Sequence, residues 1–72
     1  MTRDPRRQTY EIRVRGHLGR RMLRAFEALS AQPEGEDTLL RGFLPDQSAL
    51  YGVIARLETL GLELVEIRCL PG

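Results

Sequence analysis

The stretch Asp46–Leu70, DQSALYGVIARLETLGLELVEIRCL, decides the fold. Leu50, Val53, Ile54, Leu57 and Leu60 recur at i, i+3, i+4 and i+7, the spacing of one apolar helical stripe. Asp46 stands where a side-chain oxygen can accept from the first free amides. Gly61 ends the helix, and Leu62 can pack back on its last turn. From Glu63 the period changes to two. Val65, Ile67 and Cys69 fall on one face and Glu66 and Arg68 on the other, the pattern of a half-buried strand over Glu63–Leu70.

The same two periods recur upstream in the same order. Thr9–Leu18 alternates, with Tyr10, Ile12, Val14, Gly16 and Leu18 inward and Glu11, Arg13, Arg15 and His17 outward. Met22, Ala25, Phe26 and Leu29 then give helical spacing between Gly19 and Ser30. Ala31–Pro33 is a short strand, placed at a sheet edge because proline has no amide for a ladder. Glu34-Gly35-Glu36-Asp37 is a turn. Thr38–Leu44 is a strand with Leu40 and Leu44 on one face and Leu39, Arg41 and Phe43 on the other.

The order is strand, helix, two strands, helix, strand, which predicts an α+β ferredoxin-like βαββαβ split sandwich. Each helix has one apolar stripe, so both should cover one face of a four-stranded antiparallel sheet. The expected core is Ile12, Val14, Phe26, Leu29, Leu40, Val53, Ile54, Leu57, Val65 and Ile67. The other face is open, and one register sets Arg13 opposite Glu66 and Glu11 opposite Arg68. Residues 1–8 read as a flexible basic tail and residues 9–72 as one domain.

Composition limits the function. Seventy-two residues make one small domain with a thin margin of stability. One cysteine rules out an internal disulfide and suits the cytoplasm. No apolar run approaches the roughly 20 residues of a membrane-spanning helix. All eleven basic residues are arginine, with a net charge of +1. They are unevenly spread. Residues 1–24 carry eight arginines against Asp4 and Glu11, and the remainder carries three arginines against eight acids. A chain divided this way can pair with itself, within the fold or between copies.

The run Ile12-Arg-Val-Arg-Gly16, with Leu18-Gly19 opening a helix, resembles the first strand and loop of ACT regulatory domains. Asp46 through Leu57, Leu60-Gly61 and Val65 are similar to that family's second helix and last strand. The resemblance implies a dimerising module that binds an amino acid near the first loop. The acid and Pro-Gly common there are replaced by His17-Leu18-Gly19-Arg20. Tyr10-Glu-Ile-Arg-Val-Arg-Gly16, Pro45-Asp46-Gln47 and Leu60-Gly61-Leu62 also resemble short stand-alone bacterial proteins of unassigned function, which implies a single bare domain.

Two groups of residues are candidates for binding. Gly16, His17, Gly19, Arg20, Arg21 and Arg24 surround the start of the first helix. Cations there oppose the helix dipole, so an anion or the acidic surface of a second copy would relieve them. Otherwise the arginines reach into water. Leu39, Arg41 and Phe43 on the open face read as an interface, because an exposed Phe beside a Leu is more often buried by a partner than left in solvent. Arg41-Gly42-Phe43 faintly resembles the strand motif of RNA-recognition modules, which leaves nucleic acid as an alternative. Catalysis has little support. His17 and Cys69 are single residues placed toward opposite ends of neighbouring strands, and no metal or cofactor spacing is present. The sequence therefore reads as a non-enzymatic binding or regulatory module that forms a homodimer, with a small anionic ligand at the first loop or nucleic acid on the open face as alternatives.

Overall fold

The computed structural model describes residues 8–70. Its elements are β1 (Gln8–Arg15), α1 (Arg20–Arg24), β2 (Ser30–Glu34), β3 (Asp37–Leu44), α2 (Gln47–Thr59) and β4 (Leu64–Leu70). The strands form one antiparallel sheet in the order β2-β3-β1-β4, giving a small α+β fold. The basic tail expected over 1–8 lies outside the described residues except for Gln8, which opens β1. Among the described residues, no helix is long and apolar enough to cross a membrane.

Alternation along β1 and β3 builds the core. Tyr10, Ile12 and Val14 from β1 and Thr38, Leu40 and Leu44 from β3 are buried. Phe26, Leu29 and Leu57 pack on them from the helical layer. Both helical segments thus cover one sheet face, as the stripes predict. Leu50, Val53 and Leu62 close the layer at its margin.

Four expectations need correction. β1 ends at Arg15 rather than Leu18, because Gly16 takes φ 85, a left-handed turn that stops the ladder. The first helix is five residues long rather than spanning Gly19–Ser30. It has no side-chain cap and no acid in its first turn. Beyond Arg24 the chain tightens into three-residue turns, with Ala25, Phe26 and Leu29 amides donating to the carbonyls of Met22, Leu23 and Phe26 at 2.9–3.0 Å. Residues three apart eclipse in such turns, so Phe26 and Leu29 both reach the sheet. Ile54 is only half-buried, because α2 turns Leu57 rather than Ile54 into the centre. Val65 is 43% exposed. A bulge lies opposite Arg13 and Val14, so Leu64 rather than Val65 stands across from Val14.

The second helix follows its sequence closely. The Asp46 carboxylate accepts from the Ala49 amide at 2.9 Å. At the other end, Gly61 takes φ 74. Its amide donates to the Glu58 carbonyl at 3.0 Å and the Leu62 amide to the Leu57 carbonyl at 2.9 Å. This double closure satisfies the last free carbonyls and turns Leu62 toward the core.

Gly42 is required by close approach. A Cβ there would run into Leu29 Cδ2 and lie 3.0 Å from the Ala28 carbonyl oxygen and 3.2 Å from Leu29 Cα. The missing side chain lets the segment after α1 cross directly over β3.

Candidate functional site

The loop after β1 is held by one buried hydroxyl. Thr38, on the core-facing side of β3, is 4% exposed. Its Oγ1 donates to the Gly16 carbonyl at 2.7 Å and accepts from the Leu18 amide at 3.3 Å. His17 is exposed, and its Nε2 lies 3.0 Å from the Gly35 carbonyl, so it donates there when Nε2 carries the proton. The loop and the β2–β3 turn therefore lock together at one end of the sheet. Sequence reading missed Thr38. Its only signal was a hydroxyl at a position where the alternation demands an apolar residue.

Of the six residues expected to bind an anion or partner, Gly16 and His17 are fixed by these contacts. Gly19 is extended and opens α1. Arg20, Arg21 and Arg24 are exposed. Among the described residues, no carboxylate lies within 4.0 Å of these three guanidinium groups. Two acids of the neighbouring turn are engaged elsewhere. Arg13 reaches Asp37 at 3.5 Å and Glu34 at 3.9 Å. Part of the charge division is thus satisfied within the chain.

The open sheet face carries the expected register, with Arg13 opposite Glu66 and Glu11 opposite Arg68. The ion pairs go the other way across β1. Glu11 Oε2 meets Arg41 Nη2 at 3.1 Å, and Arg13 turns to Asp37. Among the described residues, Glu66 and Arg68 have no ion-pair partner. Glu11, Arg13, Glu34, Leu39, Glu66 and Arg68 line a depression of about 200 Å³. Its acids interrupt its arginines, so this depression offers no continuous basic stripe to a phosphate backbone among the described residues. Of the three expected interface residues, Arg41 is tied to Glu11, Leu39 is half-buried and Phe43 is 47% exposed.

Apolar exposure is not confined to the open sheet face. Tyr51 and Leu60 on or just beyond α2, and Leu64 and Val65 on β4, are each more than a third exposed. Sequence reading assigned Val65 to the core and missed the exposure of Tyr51, because neither the bulge nor the narrow cover given by α2 is visible in the periodicity. Cys69 stands across from Tyr10 near one end of the sheet, and His17 lies past the opposite end of β1. Burial raises the Tyr10 phenol above its ordinary value of 10.0, and the facing Cys69 adds to the shift.

No curated protein and no solved structure matches the chain. Residues 9–68 match a family described as "Domain of unknown function (DUF8691)". The match takes in α1, β2, β3 and α2 whole and most of β1 and β4, and the chain belongs to this family.

Proposed function

We propose that the chain is a non-enzymatic binding module of ferredoxin-like topology that works as a homodimer in the cytoplasm. The observation that carries this reading is the size of the exposed apolar surface against the core. Phe43, Tyr51, Leu60, Leu64 and Val65 are 36–63% exposed, five large apolar side chains against a buried apolar core of eight. A domain this small gains stability by covering such surface with a second copy.

Nucleic acid ranks lower, because Glu11, Glu34 and Glu66 break up the open face and Arg13 and Arg41 are neutralised within the chain. A small anionic ligand at the first loop would draw on Arg20, Arg21 and Arg24, but α1 is only five residues long and offers little dipole. Sedimentation velocity at micromolar concentration tests the reading. A dimer of about twice the 8.2 kDa chain mass is expected, and a folded monomer refutes it.

A further inference from the structure

The sheet has two edges, β2 and β4. They differ in how they resist pairing. β2 is five residues long and contains Pro33, which has no amide to give, followed by Glu34. Proline and charge at an edge block strand addition. β4 is seven residues long, without proline, and bears the charges Glu66 and Arg68.

Those two charges make β4 complementary to itself. Consider a second β4 laid antiparallel with Ile67 opposite Ile67 of the other copy. Glu66 then faces Arg68 of the other copy, and Arg68 faces Glu66. Leu64 faces Leu70, and Val65 faces Cys69. Every cross-strand pair is apolar with apolar or acid with base. No other centre gives this. A centre on Glu66 or Arg68 sets like charges face to face. A centre on Val65 or Cys69 sets a charge against a leucine, and a centre between two residues likewise pairs charges with apolar side chains. Among the described residues, Glu66 and Arg68 also have no ion pair within the chain, so both are available to a second copy.

Resting on the self-association proposed above, we propose that the partner of this domain is a second copy, added edge to edge through β4 about a twofold axis at Ile67. The result is one continuous eight-stranded sheet. Both helical layers lie on the same side, and the exposed Leu64 and Val65 are drawn into the seam. The bulge at Val65 loosens the ladder at its ends, so the rungs 66–68 carry the register.

The test exploits charge reversal in the intact chain. In Glu66→Arg, both central rungs become base against base; in Arg68→Glu, both become acid against acid. Each variant alone should dissociate at least about tenfold more readily than wild type, with its circular dichroism retained. Mixed together, the two should form a heterodimer. One copy then presents two arginines where the other presents two glutamates, and both rungs pair base with acid across the axis. A damaged fold could not be rescued by mixing. As a second measurement, Val65→Cys should give an oxidised covalent dimer through Cys69 of the other copy. Wild-type monomer overturns both self-association and the β4 register. A wild-type dimer indifferent to both reversals, or weakened by both without recovery on mixing, overturns the register alone. A dimer lost in Phe43→Ser but kept in the reversals moves the interface to the open face and overturns it too.

Discussion

Gly42→Ala is expected to destabilise the domain, although alanine usually suits an ordered backbone better than glycine. Removing glycine restricts the unfolded chain and would by itself stabilise by about 0.4–1 kcal/mol. At position 42 the added methyl runs into Leu29 Cδ2 and comes within 3.0 Å of the Ala28 carbonyl oxygen and 3.2 Å of Leu29 Cα. A leucine methyl can swing away, but two of the three contacts are backbone. Relief requires lifting the Ala28–Leu29 segment off β3, and Leu29 is 8% exposed in the core. Overpacking of this kind costs about 1–3 kcal/mol, so the net destabilisation lies between about zero and about 2.6 kcal/mol. Gly52→Ala is the control. It lies on the exposed side of α2 with nothing within 4 Å of an added Cβ, and there alanine should stabilise by about 1 kcal/mol. Urea denaturation at one fixed protein concentration compares the two, since a dimer's midpoint moves with concentration. If both substitutions stabilise, the close approach over β3 is not the reason for a glycine at 42.

Two further outcomes follow from single groups. Thr38→Val keeps the shape but strands the Gly16 carbonyl and the Leu18 amide; it should cost about 1–3 kcal/mol and speed hydrogen exchange at Leu18, and unchanged exchange there would refute the role of the hydroxyl. Tyr10 should ionise above 10.0 in the folded protein, because burial and Cys69 favour the neutral phenol. With the folded value raised, its contribution to stability is complete below pH 10.0 and is lost as pH rises through the folded value. Ultraviolet titration of Tyr51→Phe reads Tyr10 directly, and a midpoint at or below 10.0 would contradict the burial.

Elements whose signals are local can be read directly from residue order. The Asp46 cap and the Gly61 stop are set by neighbours within a turn or two and are found where the spacing puts them, whereas of the α2 stripe only Leu57 is fully buried. Alternation in β1 and β3 likewise marks the core face, because a period of two leaves only one way to bury Ile12, Val14 and Leu40 together. Even the Arg13–Glu66 register across β1 and β4 was legible from opposite charges. Three features arise only where distant segments meet. Packing shortened α1, since Phe26 and Leu29 reach the sheet through tight turns and only the passage over Gly42 sets that height. It placed the β4 bulge and exposed Val65, because a bulge is a mismatch between two strands and neither strand carries it alone. And it drew Glu11 to Arg41 and Arg13 to Asp37, leaving Glu66 and Arg68 for the edge. Several partners of opposite sign stand within reach on an open sheet face, so side-chain geometry rather than residue type selects among them.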